Sequence, residues 1–162
     1  MDDHTYYAHV NTHSGHFFRQ WRSLLFTDAD DDQMYAEAES ATSGAITFDV
    51  ADDLRQGRFD HVSYDAVRGQ LMRAILEGLA RRSSRIVDRL ERASGGPYDQ
   101  VLIAGHPTRV PLWRALREDA YRRSIATVDE PETAAYGAAV IAARGVGAPG
   151  AGRLVARRTD WT

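Results

Sequence analysis

The junction between an apolar run and a helix start holds the residues whose types and spacing could bind a nucleotide or a phosphate. The stretch VLIAGHPTRVPLW, residues 101–113, runs through four apolar residues to Gly105, then a polar turn, then a helix signal. At such junctions of α/β proteins, the helix offers unpaired backbone N–H groups to anionic ligands. His106 and Pro107 stand where a phosphate-binding loop favours glycine, because a Cβ or a missing N–H hinders close backbone approach. The junction therefore indicates an altered nucleotide loop.

Two clusters have the residue types of a metal site, but neither has the full pattern. Asp28, Asp30, Asp32 and Glu39 match the ligand positions of a calcium-binding loop, yet Gln33 stands where glycine must make the turn. Acidic residues at a helix N-terminus explain this run without an ion. Near the start of the chain, four histidines lack a carboxylate that would complete a site. They are His4, His9, His13 and His16. The sequence therefore predicts no metal site, and a metal held by the histidines is the lesser alternative.

A glycine inside a helix signal gives a further candidate for ligand binding. The stretch TAAYGAAVIAA, residues 133–143, places Gly137 among small residues. Glycine in a helix interior costs about 1 kcal/mol relative to alanine, which points to a packing or a ligand reason. Either this helix packs closely against another backbone or a ligand approaches it at Gly137. The Walker A pattern and the G-x-S-x-G elbow of hydrolases are both absent from the sequence.

Composition and charge limit the class of protein. The chain has 162 residues, of which 43% are hydrophobic and 27% charged, and its net charge is −3. This balance gives no electrostatic case for nucleic acid or an anionic membrane. It has no cysteine, and no apolar run approaches the ~20 residues of a membrane span. The first residues also lack the pattern of a signal peptide. We expect a soluble, cytoplasmic protein without nucleic-acid or membrane partners.

Apolar periodicity predicts an α/β domain that could hold these candidates in place. In the second half, helices and strands alternate, which implies a parallel strand pair with a right-handed crossover. The first half favours antiparallel strands, so we predict a mixed sheet with helices packed on it. Residues 51–65 are expected to form an irregular polar connection. The predicted strands cover residues 5–11, 44–50, 100–105 and 124–128, and the predicted helices 14–26, 66–93, 111–123 and 131–144. Residues 27–41 are acidic and then helix-prone.

The helix predicted over residues 66–93 is the strongest amphipathic signal in the chain. Its apolar stripe comprises Val67, Leu71, Ile75 and Leu79, widened by Met72, Leu76, Ile86, Val87 and Leu90. Arginines gather near its C-terminal end, where the helix dipole favours cations. They are Arg81, Arg82, Arg85, Arg89 and Arg92. A solvated basic face explains them, and a phosphate-binding patch is the lesser alternative.

The order of these segments resembles the C-terminal lobe of the FGGY carbohydrate kinases. The likeness is strongest from Leu71 to Ala143, through MRAILEGLARR and then DQVLIAGHPTRVPLWRALREDAYRRSIATVDEPETAAYGAAVIAA. Its most specific part is the PLW helix start, followed at a fixed distance by E-x-A-A-x-G-A-A at Glu132–Ala139. A weaker likeness covers YYAHVNTHSGHFFRQW, in which a strand leads through glycine into a helix containing tryptophan.

The resemblance implies an α/β, actin-like ATPase fold built on a ribonuclease-H-like mixed sheet. It also implies phosphoryl transfer from ATP, with Mg²⁺, to a sugar or polyol hydroxyl. In that family the C-terminal lobe contributes most of the nucleotide site, whereas the catalytic aspartate lies on the N-terminal lobe. No catalytic residue and no metal ligand therefore carries over to this chain. The implied nucleotide-binding residues are Gly15, His16, Gln20, Gly105, His106, Pro107, Thr108 and Gly137.

On this resemblance, residues 1–146 form the lobe, incomplete at its N-terminal edge, and residues 147–162 form a Gly/Arg-rich tail. We expect a truncated nucleotide-binding lobe of a sugar or polyol kinase that is inactive alone. Its expected partner is the missing N-terminal lobe or a second copy of the chain, and the sugar would bind only in the complete enzyme. The alternative is a non-catalytic, pseudokinase-like binding module. In that case His106 and Pro107 alter or close the ATP site.

Overall fold

The computed structural model describes residues 14–51, 55–104, 109–128 and 132–148, and the backbone alone of residues 158–160. These residues divide into two compact units. The first contains the described residues up to 97 together with 119–121, and the second contains 98–118 and the described residues from 122 onward. The strand predicted over residues 5–11 lies outside the described residues. No helix in the described ranges has the length and apolar character needed to cross a membrane.

The first unit contains three helices and a two-stranded sheet within its described residues. They are α1 (Ser14–Leu25), α2 (Asp31–Ser40), β1 (Thr47–Val50), β2 (Gly57–Asp60) and α3 (Arg68–Ser94). Helix α3 contacts α1, α2 and β1, and it supplies most of the buried side chains of this unit. Met72, Ile75, Leu76 and Leu79 are each at most 1% exposed, as expected for one face of an amphipathic helix.

Helix α3 begins and ends at identifiable backbone signals. Val67 lies just before the helix in an extended conformation, and its N–H donates to the side chain of Gln70 at 3.0 Å. At the other end, Gly95 adopts a left-handed conformation with φ +85°, and its N–H donates to the carbonyl of Glu91 at 3.1 Å. The long helix is confirmed. Its predicted apolar stripe is wrong at Val67, which is 60% exposed because it precedes the helix.

The first unit has an antiparallel strand pair, of which only the first strand was predicted from the sequence. Strand β1 buries Phe48 and Val50 on one face, while its partner β2 lies in the stretch predicted to be irregular. That prediction is wrong for residues 57–60. Phe48 and Phe59 are directly opposite each other, with ring centroids 4.6 Å apart, so a cross-strand aromatic contact favours the pair.

The second unit contains a mixed three-stranded sheet. Its elements are β3 (Gln100–Ile103), α4 (Pro111–Tyr121, of which 119–121 fall in the first unit), β4 (Ser124–Val128), α5 (Thr133–Gly145) and β5 (Arg158–Asp160). Strands β3 and β4 are parallel, as predicted, and β5 adds an antiparallel strand that was not predicted. Pro111 opens α4, where its missing N–H leaves no helical bond unmade, and α4 buries Leu112 and Trp113. The α/β class and the mixed sheet are confirmed, and the described strands form two sheets.

Candidate functional site

A surface groove lies along α1 in the first unit. It has a volume of about 470 Å³. Its lining residues are Phe17, Gln20, Trp21, Ser23, Leu24, Arg55 and Gly57. We call it the α1 groove. Five of these residues lie on α1, and Arg55 and Gly57 come from the start of β2 and the residues before it. Gln20, which the family resemblance selects, is therefore part of a concave surface.

Aromatic side chains form the floor of the α1 groove. Phe17 is buried and Trp21 is half-buried, with ring centroids 6.3 Å apart. Behind them lies Phe48 of β1, whose ring is 5.9 Å from that of Phe17 and 5.6 Å from that of Trp21. Phe59 of β2 meets Trp21 edge-on at 5.3 Å. These tilted and edge-to-face geometries are favourable for aromatic pairs and hold the indole in one orientation.

Polar groups lie at the rim of the α1 groove. Gln20, Ser23 and Arg55 are all exposed. The Gln20 amide can both donate and accept hydrogen bonds, and the Arg55 guanidinium can neutralise an anion through several N–H groups. The Ser23 hydroxyl contacts the backbone carbonyls of Arg19 and Gln20, at 3.0 and 2.9 Å. The lining described above has no carboxylate or imidazole, so it offers binding groups for a planar or anionic ligand and no general base.

The structure brings together some of the predicted nucleotide-binding residues in the first unit. Gly15 and His16 lie in the first turn of α1, both exposed, and Gln20 follows His16 by one helical turn on the same face. Among the described residues, no atom lies within 4 Å of a Cβ built on Gly15. The described residues thus leave the side of α1 at Gly15 uncovered. Gly105, His106, Pro107 and Thr108 lie outside the described residues, and their assignment stays a prediction.

Gly137 lies in α5 of the second unit. Close packing of this helix is one of the two explanations that the sequence leaves open for the glycine. Within the described part of the chain, a Cβ on Gly137 would meet no atom within 4 Å, and α5 has no buried residue. The described residues therefore supply no packing reason for this glycine, and both explanations stay predictions.

The acidic run that resembles a calcium loop forms a helix cap and ion pairs. Asp30 accepts a hydrogen bond from the backbone N–H of Gln33 at 2.8 Å and caps α2, so its predicted role at a helix N-terminus is confirmed. Asp28 and Glu37 pair with Arg68 at 2.5 and 2.7 Å. The hydrogen bond from Arg68 lowers the pKa of Glu37, while Glu37 and then Asp28 raise the pKa of Arg68. In the described ranges, no three His, Asp or Glu side chains form a metal-ligand set.

Four of the five arginines near the end of α3 are exposed, as predicted, and the fifth is not. Arg85, Arg89 and Arg92 line a shallow surface hollow of about 270 Å³ together with Asp88. Arg82 is only 3% exposed, so the predicted solvated face is wrong at this position. It follows Leu79 by three residues and precedes Ile86 by four, which places it on the buried stripe of the helix.

Sequence reasoning missed most of the lining of the α1 groove. Arg55 and Gly57 lie 35 and 37 residues from Gln20, and they reach the groove through the unpredicted strand β2. Leu24, an apolar side chain on α1, is 71% exposed at the groove. One signal for strand β2 was available in the sequence. It is Phe59, a strand-favouring aromatic residue within residues 51–65 that lies opposite Phe48 of β1.

Comparison with known proteins now identifies the family. The C-terminal domain model of the FGGY family of carbohydrate kinases matches residues 10–146. The chain belongs to this family. L-fuculokinase from Escherichia coli (strain K12) is 27% identical to it over 133 residues, which are 79% of this chain and 28% of that protein. L-fuculokinase from Salmonella typhi is 29% identical over the same length, with the same coverage of both chains. The chain thus spans 28% of the length of these relatives.

Solved structures of FGGY kinases have the same fold, that of the actin-like ATPases. Xylulose kinase from Rhodospirillum rubrum superposes with a TM-score of 0.71 at 25% identity, over 91% of this chain and 33% of its own. Glycerol kinase from Plasmodium falciparum, solved with ADP, superposes with a TM-score of 0.66 at 21% identity, over 82% of this chain and 28% of its own. The predicted family and fold are both confirmed, and the chain is an FGGY C-terminal domain.

Proposed function

We propose that the chain is the nucleotide-binding domain of a kinase that transfers a phosphoryl group from ATP to a sugar or polyol hydroxyl. The observation that carries this proposal is the match of the FGGY C-terminal domain model to residues 10–146. Three relatives named L-fuculokinase make L-fuculose the first acceptor to test. D-xylulose, glycerol and gluconate follow, because kinases named for these compounds have the same fold.

The α1 groove fits a role in holding part of the nucleotide. Trp21 presents a half-buried indole, which suits contact with a planar base. Gln20 supplies an amide, and Arg55 supplies a positive charge suited to phosphate oxygens. When bound, ATP would supply the transferred phosphoryl group, and Mg²⁺ would neutralise charge on its phosphates. Because Mg²⁺ is usually held by substrate phosphates and one or two carboxylates, we propose that it binds together with the nucleotide.

We propose that the chain by itself has no kinase activity. Phosphoryl transfer depends on positioning and charge stabilisation across both lobes, and a general base must take the proton of the acceptor hydroxyl. The lining of the α1 groove contributes no such base. The test measures turnover by this chain alone with each of the four acceptors named above, with L-fuculokinase from Escherichia coli as the active reference. Turnover by the chain alone at the rate of the reference enzyme would contradict this part of the proposal.

Binding of Mg-ATP to the chain is the direct test of the proposed site. Isothermal titration calorimetry should give a dissociation constant in the micromolar range. Replacing Gln20 with alanine should weaken binding about fivefold, the effect of losing one hydrogen bond of about 1 kcal/mol. The matched control is Arg19→Ala, since Arg19 is an exposed neighbour on α1 that does not line the groove. Equal affinity of Gln20→Ala, Arg19→Ala and the wild type would exclude Gln20 from the site.

A pseudokinase-like binding module is the second candidate. It is favoured by His106 and Pro107, which stand at the two positions where a nucleotide-binding loop favours glycine. A Cβ and a missing backbone N–H at these positions hinder the close approach of a nucleotide. The double variant His106→Gly, Pro107→Gly separates the candidates. If the module hypothesis holds, the wild type gives no calorimetric signal with Mg-ATP and the double variant does. Micromolar binding by the wild type contradicts it.

A partner of the domain is also part of the proposal. Helix α5 has no buried residue within the described part of the chain, and Ile141 and Val146 are 74% and 81% exposed. Contiguous exposed apolar patches mark interaction sites, and the absence of buried residues among the described part of α5 is the observation that points to a covering surface. We propose that the N-terminal lobe of the same kinase covers it, with self-association as the alternative. Light scattering of the chain over a range of concentrations distinguishes them, because only self-association gives a mass that rises with concentration.

A further inference from the structure

One buried ring supports three of the residues that line the α1 groove. Phe48 is 1% exposed, and its ring packs against Phe17 and Trp21 on the groove side. Gly57 lies against the same ring so closely that a Cβ there would overlap its edge. The position of Phe48 therefore sets the depth of the groove and the orientation of the indole of Trp21.

The backbone of Phe48 is held from the opposite side by α3. Nη2 of Arg81 donates a hydrogen bond to the carbonyl oxygen of Phe48 at 3.2 Å, and the backbone of Gly78 lies directly beneath that oxygen. Nη1 of Arg81 is 4.0 Å from Oε2 of Glu77. The Glu77 carboxylate is itself fixed, since Oε1 accepts from Arg73 at 2.9 Å and from Ser43 at 2.8 Å.

We propose that Arg81 is a positioning residue for the α1 groove. Oriented by Glu77, it fixes the carbonyl of Phe48, and through the Phe48 ring it fixes Trp21 at the floor of the groove. Binding sites lose affinity when their supporting groups shift by a fraction of an ångström, so this contact affects ligand binding without touching the ligand. The link from Arg81 to Trp21 stands on its own, whereas the identity of the ligand rests on the proposed function.

The exposure of Arg81 separates this role from a general contribution to stability. Its side chain is 47% exposed, and surface ion pairs contribute little to folding. Removing the guanidinium should therefore leave the unfolding midpoint close to that of the wild type. The carbonyl that it holds nevertheless belongs to the residue directly behind the groove. A local effect at Trp21 with a nearly unchanged midpoint is thus the signature of positioning.

The test uses Arg81→Met, which keeps the apolar stem of the side chain and removes its donors. Arg81→Lys keeps one donor, and Arg85→Met is the matched control one turn along α3, outside the groove lining. All proteins carry 5-fluorotryptophan, and the ¹⁹F resonance of Trp21 is assigned with Trp21→Phe. We expect Arg81→Met to shift this resonance and to weaken Mg-ATP binding about fivefold, the effect of one lost hydrogen bond. Arg81→Lys should restore part of both effects, and Arg85→Met should cause neither.

Each outcome decides the inference. An unchanged Trp21 resonance in Arg81→Met overturns it, and so does an unchanged dissociation constant where the wild type binds Mg-ATP. If the wild type does not bind Mg-ATP, the proposed nucleotide site fails separately, and the resonance alone decides whether Arg81 positions Trp21. If Arg81→Met does not fold, Arg81→Leu, which also removes the donors, takes its place. A resonance identical to that of the wild type then overturns the inference, and a shifted one supports it.

Discussion

Helices α3 and α5 each contain a glycine far from their ends, and the two glycines have opposite surroundings. Gly78 of α3 is buried, and a Cβ there would meet the carbonyl oxygen and the ring of Phe48. Gly137 of α5 is half-buried, and within the described residues nothing lies within 4 Å of such a Cβ. The same departure from helix propensity therefore has a structural cause in α3. In α5, the described residues supply no packing cause.

The two helices also differ in how their apolar residues are used. Helix α3 carries many charged residues, yet one of its faces forms the core of the first unit. Helix α5 is composed mostly of alanine and other small or apolar residues, yet none of them is buried in the described part of the chain. Periodicity, more than apolar content, decides which helix forms a core by itself. Apolar content without periodicity fits a helix that another surface covers.

The largest expected effect on the free energy of unfolding comes from the buried ring that packs against α3, in contrast to an exposed side chain on α5. Phe48→Ala removes the ring on which α3, β1 and the groove-lining aromatics meet, and we expect it to cost about 3–5 kcal/mol of unfolding free energy. Ile141→Ala on α5 should change it by less than about 0.5 kcal/mol, because this side chain is 74% exposed. Urea denaturation followed by circular dichroism measures both. Similar losses for the two variants would show that α5 is packed as firmly as α3.

A second prediction tests the close contact at Gly78. Alanine contributes about 1 kcal/mol more than glycine to helix stability, but its Cβ would press on a backbone carbonyl that has little freedom to move. We expect Gly78→Ala to give a net loss of about 1–2 kcal/mol of unfolding free energy. The control is Ala80→Gly on the same helix. It changes helix propensity and removes a methyl group, but it adds no atom that could press on a neighbour. A neutral or stabilising Gly78→Ala would show that the helix and β1 can separate.

Most of the helices could be predicted because their signals are local. The apolar stripe of α3, the acidic start of α2 and the proline that opens α4 act within a few residues. Strand β2 was missed because its sequence, GRFD, contains a single strand-favouring residue, Phe59. It forms because Phe59 meets Phe48 and Trp21, which are distant in sequence. Arg82 was predicted to be exposed because it is charged, although its spacing places it on the buried stripe of α3.

Only those residues of the candidate site that lie in a motif of the family could be predicted from the sequence. Gln20 was selected because the motif around Trp21 resembles the family, and the structure places it at a groove. The opposite wall, with Arg55, could not be inferred because it depends on the pairing of β2 with β1. The supporting role of Arg81 was equally out of reach, since its partner is a backbone carbonyl, and any residue at position 48 would supply that oxygen.

A third, smaller prediction concerns Gly137. Since the described residues leave room for a Cβ, Gly137→Ala should stabilise the protein by about 0.5–1 kcal/mol through helix propensity. If Gly137 also contacts the nucleotide, the same variant should bind Mg-ATP more weakly although it is more stable. Denaturation and calorimetry on one preparation separate the two effects. A destabilised Gly137→Ala would show that this helix, like α3, packs closely against another part of the protein.

The smallest expected effect concerns a charge contact at the start of α3. Both carboxylate oxygens of Glu37 accept hydrogen bonds from Arg68, at 2.7 and 2.8 Å, and this pairing ties α2 to the first turn of α3. The hydrogen bond from Arg68 lowers the pKa of Glu37 in the folded protein. A depressed carboxyl pKa adds stability above the unfolded value of about 4.3, and this stability is lost as the pH falls through the folded pKa.

Glu37→Gln should therefore lower the thermal unfolding midpoint at pH 7, and the difference from the wild type should shrink as the pH falls below about 4. Added salt should also make the difference in unfolding midpoint at pH 7 smaller, because Glu37 is partly exposed and salt screens its ion pair. Glu39→Gln, an exposed carboxylate on the same helix, is the control and should show a smaller difference at pH 7. A difference for Glu37→Gln that stays constant from pH 7 to pH 3 would show that shape alone, and not charge, joins α2 to α3.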